Sequence, residues 1–222
     1  MAVENLTIAP FYSNQRNPYN YAKIEQVARD LATAWLTLDE ITQQLNLFQD
    51  ESQDSYLESL ELATRMTIED LIGMAIFPTQ WKIYYANLGV YNTACYLNLP
   101  EVSQSNQGQA GVTINRVECY TTSNTVPEVI ASSNYSYDPT GNQVILNSIP
   151  NTLNQEVANP IVVTYTQGAS PIAQYPNVKQ AGLMLLTHLY NNRSTVGDTV
   201  SMKAEVPFGV TQLLRPYKPL VM

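Results

Sequence analysis

Residues 177–193, NVKQAGLMLLTHLYNNR, and residues 205–217, EVPFGVTQLLRPY, decide how the rest of the chain is read. In the first, Ala181, Met184, Leu185 and His188 recur at three- and four-residue steps, and Leu183, Leu186 and Leu189 widen the stripe. That is the period of an amphipathic helix with one broad apolar face. Asn177 followed by Gln180 has the spacing of a capping box, so the helix is predicted to open there. It is predicted to stop across Tyr190-Asn191-Asn192-Arg193, where Asn tolerates left-handed backbone and Arg suits a helix C-terminus. The second stretch behaves differently. Pro207, Pro216 and Pro219 have no backbone donor, so residues 203–222 are predicted to be neither one continuous helix nor a central strand. Yet Phe208, Val210, Leu213, Leu214 and Tyr217 place five large apolar side chains within ten residues. A free terminus does not ordinarily carry so many: either a partner covers them or the tail folds back on its own domain. Deleting 207–222 separates the two, since only the second makes the truncated chain melt far below the intact one.

Toward the N-terminus, Thr37-Leu38-Asp39-Glu40 is a capping box opening a short helix over Ile41, Leu45 and Leu47. After a loop at 48–51, Leu57, Leu60, Ile68, Leu71 and Ile72 form the stripe of a longer helix. Thr64 is its one polar member, and Gly73 is the predicted stop. Beyond Pro78 the period changes from 3.6 to 2. Strands are predicted at 81–85, 94–99, 112–120, 135–137, 143–146 and 161–165, with a hairpin at Asp138-Pro139-Thr140-Gly141-Asn142 and a polar loop at 103–111. Residues 10–19 are turn-rich, and Tyr21 to Trp35 carries a faint helical stripe (Ile24, Val27, Leu31, Ala34) that is also compatible with a strand. The fold class is therefore α+β: a small helical bundle, made of an N-terminal helix pair and a C-terminal helix, with an inserted antiparallel β domain and an extended C-terminal tail. The expected divisions are an arm at 1–36, the helical domain at 37–76 and 177–202, the β domain at 77–176, and the tail at 203–222.

The 222 residues carry a net charge of −8, which argues against a general nucleic-acid binder. Charge is unevenly spread. Between Asp39 and Asp70 stand nine acids and one base, Arg65, whereas from Asn177 onward there are five bases and two acids. That polarity suits head-to-tail contacts in a ring. Fifteen Tyr against four Phe fit either interfaces rich in neutral hydrogen bonds or a Tyr-rich β core. No run of eighteen apolar residues and no signal peptide is present, so an origin in the cytoplasm and no membrane span are expected. Cys95 and Cys119 are too few for a disulfide scaffold or a zinc site. Both read as buried free thiols, with a mutual disulfide as the alternative.

Candidate chemistry is thin. Asp50, Ser52, Asp54 and Glu61 fit positions of a calcium loop, but Ser55 stands where the sharp turn needs Gly, and the segment reads better as a helix start. His188 is the only histidine, on an apolar helix face and without a nucleophile elbow. Glu58, Glu61, Glu69 and Asp70 are read as a solvated face. A small carboxylate-dependent hydrolase would need a pocket gathering His188 with acids of the 50–70 helix. No catalytic residue, metal or cofactor is expected.

A helix ending His-Leu-Tyr-Asn-Asn-Arg, followed by Val-Pro-Phe-Gly-Val and Leu-Leu-Arg-Pro-Tyr, resembles the head–tail connector (adaptor) proteins of tailed bacteriophages. The helix pair that begins Leu-Thr-Leu-Asp-Glu-Ile is similar to that family's opening. The run Tyr-Ser-Tyr-Asp…Gly-Asn-Gln-Val-Ile-Leu resembles the β insertion of one subgroup. The likeness spans about 37–217. It implies a virion structural protein of the neck, a ring of usually twelve copies beneath the portal, with DNA passing through the lumen and tail components docking below. It implies helices in the ring body, a β domain facing outward or toward the tail, and a tail that reaches the portal. The portal-binding residues would then be Phe208, Val210, Leu213, Leu214, Arg215, Tyr217 and Lys218. A neck or tail-completion protein one position further down is the nearest alternative.

Overall fold

The computed structural model describes residues 21–47, 51–73, 75–86, 89–91, 94–100, 111–121, 126–148, 153–154, 156–193 and 207–218. The turn-rich run at 10–19, the polar loop at 103–110 and tail residues 203–206 and 219–222 lie outside them. The described chain is α+β. In order it runs β1 (Tyr21–Arg29), α1 (Leu38–Leu45), α2 (Asp54–Ile72), β2 (Thr79–Tyr85), β3 (Gly89–Tyr91), β4 (Ala94–Asn98), β5 (Val112–Cys119) and β6 (Glu128–Ile130). It continues through β7 (Tyr135–Asp138), β8 (Gln143–Leu146), β9 (Ile161–Gln167), α3 (Pro176–Asn191) and α4 (Phe208–Leu214). The chain forms two compact units: residues within 21–29, 79–100 and 111–168 build a β unit, and those within 30–78 and 169–218 a helical one.

The β unit holds a five-stranded sheet, β1-β2-β9-β5-β6, and a four-stranded sheet, β3-β4-β8-β7, with all pairings antiparallel. Alternation sends Ile83 and Tyr85, Val117 and Cys119, and Val163 and Tyr165 of the larger sheet to one face. There they share a core with Leu97, Val144 and Leu146 of the smaller sheet, as in a sandwich. The polar end of buried Tyr85 is satisfied by donating to the Asn98 carbonyl at 2.7 Å. Cys95 and Cys119 are both free thiols, so the disulfide alternative is not realised. The β7–β8 turn is set by Asp138, whose Oδ1 accepts from the Thr140 amide at 2.9 Å and hydroxyl at 2.6 Å, and by Asn142 at φ +50°. Residues 21–29 are a strand, not a helix. β1 pairs along β2 with Ile24 opposite Ile83, and an irregularity in register falls between Gln26 and Ala28.

In the helical unit the first capping box forms: Thr37 Oγ1 accepts from the Glu40 amide at 3.2 Å, and Glu40 Oε2 accepts from the Thr37 amide at 2.9 Å. Asn46 (φ +57°) closes α1, and Gly73 (φ +79°) closes α2, both left-handed. The capping box predicted at Asn177 and Gln180 does not form. α3 opens two residues earlier, with Tyr175 as N-cap and Pro176 in the first turn, where its missing N–H costs nothing and its fixed φ favours the helix. Gly182 is required by a close approach: a Cβ there would lie 2.5 Å from the Trp35 ring. That ring is buried, donates from Nε1 to the Ala173 carbonyl at 2.7 Å, and meets Phe77 edge-on at 5.8 Å.

Glu40 also ties α1 to α3, accepting from Lys179 Nζ at 2.8 Å. The lysine first, and the Thr37 amide second, hold the Glu40 carboxyl below the usual 4.5. A depressed folded value means that this stabilisation is complete above 4.5 and is lost as pH falls through the folded value. Glu40→Gln is therefore expected to melt below the parent at neutral pH and to converge with it in acid, in thermal scans across pH 2–7.

Candidate functional site

The C-terminal segment matches its proline pattern: Pro207 is the N-cap of α4, seven residues long, and Pro216 sits in a following 3-10 turn, Arg215–Tyr217. It does not extend away from the chain. Val210 and Leu214, four residues apart on one helical face, are fully buried in the helical core with Leu185 and Leu186 of α3 and Ile68 and Ile72 of α2. Leu213 and Tyr217 are half-buried against that core, the Tyr217 ring lying 5.9 Å from that of Tyr175. Phe208, Arg215 and Lys218 stand at the surface. The fold-back alternative is thus the one observed for Val210 and Leu214.

The His188–Arg193 run works as a clamp at the end of α3. The Arg193 guanidinium lies 4.4 Å from the centre of the Tyr190 ring and 4.6 Å from that of Tyr56, and donates to Gln53 Oε1 at 2.8 Å. Tyr190 donates its hydroxyl to the same oxygen at 3.0 Å. Asn192, at φ −117°, is not left-handed; its Nδ2 instead donates to the His188 carbonyl at 2.7 Å. His188, half-buried, has this Asn192 amide 3.3 Å from its Nδ1. The residues that carry the sequence motif join α3 to the start of α2.

The acids of α2 are not all solvated, contrary to the sequence reading. Glu61, Arg65 and Glu69, one turn apart, form a buried row. Glu61 Oε1 accepts from the Trp35 and Leu36 amides at 3.0 and 3.3 Å, and Glu69 Oε1 from the Ile76 and Phe77 amides at 2.8 and 3.0 Å. Between them Arg65 donates from Nη1 to the Thr33 carbonyl at 2.6 Å and from Nη2 to the Asp30 carbonyl, with Phe77 under its guanidinium at 4.4 Å. These carboxylates replace missing backbone partners in irregular segments. Glu61 was detectable: with Leu57, Thr64, Ile68 and Ile72 it keeps a seam of three- and four-residue steps.

An open groove of about 590 Å³ lies in the helical unit between residues 31–38, α1 and the first half of α2. Its lining is mostly apolar, with Glu58 and Glu61 among the polar members, and His188 is not part of it. The grouping that a carboxylate hydrolase would need is therefore not assembled at this groove. No helix among the described residues is long and apolar enough to cross a membrane.

No protein-family model matches the chain, and no curated protein matches it. Solved structures do. A chain from the neck of an empty gene transfer agent (GTA) particle, computed with C6 symmetry, superposes with a TM-score of 0.56 at 19% identity, over 90% of this chain and 96% of its own. A chain from the virion of a native GTA particle gives 0.56 at 15%, and one from the neck of a native GTA particle computed with C12 symmetry gives 0.52 at 17%, with the same coverage. The chain described above, two compact units with nine antiparallel strands and four helices, shares the fold of these particle chains along nearly its whole length.

Proposed function

We propose that this protein is a structural component of the neck of a tailed phage or phage-like particle: a head–tail adaptor that forms a ring, of about twelve copies on the family pattern, beneath the portal. The observation that carries this reading is the match of both units together, over 90% of the chain, to chains of GTA neck particles. The role is geometric, with no bond made or broken, and downstream neck or tail proteins dock below. Asp70, exposed on α2, would repel phosphates of passing DNA instead of gripping them. Portal contact falls to the end of the C-terminal segment, at Leu213, Tyr217 and Lys218, because Val210 and Leu214 are buried within the chain. The portal arranges the copies, so association is templated. In sedimentation velocity at micromolar concentration the isolated protein is expected to run as a monomer, and portal is expected to shift it into a ring-sized species. Failure to associate with portal at any concentration overturns the adaptor reading.

A further inference from the structure

Two apolar features of the helical unit lack a cover among the described residues. One is the groove floored by Leu36 and Ile41, with Leu31 on its rim at 56% exposed. The other is Phe208, at 76% the most exposed large hydrophobic side chain among the described residues. Phe208 lies at the first position of α4, opposite in role to Val210 and Leu214, and does not line the groove. Arg215, seven residues on, returns to the same helical side about 10 Å along the axis. The charges fit this pairing. Glu58 lines the groove and Asp39 follows Leu38 of its wall, both exposed, and no base lines it. The other bases of this unit among the described residues are engaged: Lys179 with Glu40, Arg193 with Gln53 and two tyrosines, and Arg65 in the buried row. Among the described residues no ion pair engages Arg215 or Lys218.

We propose that the groove receives Phe208 of a second copy of this chain, with Arg215 of that copy set against Glu58 on the rim. A knob and a hole at different places on one surface make a heterologous contact, the kind that closes into a ring when the rotation allows. The aromatic ring would exclude water from the apolar floor, and the rim charges would fix orientation. This rests on the ring reading above and names the lateral contact within it.

The test uses the full chain with Cys95→Ser, leaving the buried Cys119 in place. Leu31→Cys and Phe208→Cys variants are mixed, with and without portal, and oxidised mildly. Expected is a disulfide-linked heterodimer far above either variant alone, and a ladder of higher species from the double variant. Because both sites are exposed, neither substitution disturbs the fold. Phe208→Ala is expected to raise the concentration for half-assembly by at least about tenfold. Arg215→Glu is expected to weaken assembly, and Glu58→Arg to restore it. Rings without heterodimers overturn the docking and leave the ring standing. Heterodimers without rings keep the contact and overturn the ring, and absence of both removes both. A Leu31→Cys thiol that is shielded by portal alone assigns the groove to portal and also overturns the proposal.

Discussion

Arg65→Ala is expected to destabilise the helical unit by about 3–5 kcal/mol, the cost of removing one partner from a buried charged network. The side chain is fully buried, and its two terminal nitrogens satisfy the carbonyls of Thr33 and Asp30, which lie in an irregular segment with no ladder to join. Removal leaves those carbonyls without these donors, opens a void over Phe77, and leaves Glu61 and Glu69 buried one turn away on either side with no compensating positive charge in the row. Arg65→Lys tests the geometry separately. A lysine keeps the charge but has one point donor instead of a fork, so it cannot reach both carbonyls and should recover only part of the loss. Chemical denaturation followed by far-UV circular dichroism measures both. A loss under about 1 kcal/mol for the alanine variant would mean that solvent reaches the row and that its burial has no energetic weight.

This row also marks a boundary of what the sequence reveals. Elements whose stability is local were legible. The Thr37–Glu40 box, the Gly73 stop and the Asp138–Asn142 hairpin are each fixed by interactions within five residues of one another. Six strands announced themselves by alternation. β1 did not, because seven of its nine residues are exposed and it holds its place by backbone pairing with β2, fifty or more residues away. The strands β3 and β6, three residues each, are too short to show a period. The α3 start was misplaced because two signals compete there, and Pro176 in the first turn prevailed over Asn177 as a cap. The buried acids of α2 looked solvated because charge normally means exposure; the amides they serve belong to segments distant in sequence. The apolar residues of the C-terminal segment follow the same division. The apolar count of the tail was legible, but which of those residues turn inward depends on the tertiary position of α3.

Leu214→Ala is expected to cost the helical unit about 3 kcal/mol, a shift of roughly 10–20 °C in its melting transition. Leu214 is fully buried in the same cluster as Leu185 and Val210. A chain ending at residue 206 loses both Val210 and Leu214 and is expected to melt lower still, the outcome that a fold-back tail requires. Loss of portal binding in such a truncation would therefore say nothing about contact, because the helical unit itself is damaged. Lys218→Glu separates the two roles. Lys218 is exposed and in no ion pair among the described residues, so its stability should stay within about 0.5 kcal/mol of the parent. If the end of this segment meets the portal, that variant melts normally and binds portal measurably more weakly, with the deficit shrinking as salt screens the charge. Normal melting with unchanged portal binding would move the portal contact off Lys218. Normal melting of Leu214→Ala would show instead that the segment leaves the core in solution, freeing Val210 and Leu214 for the portal.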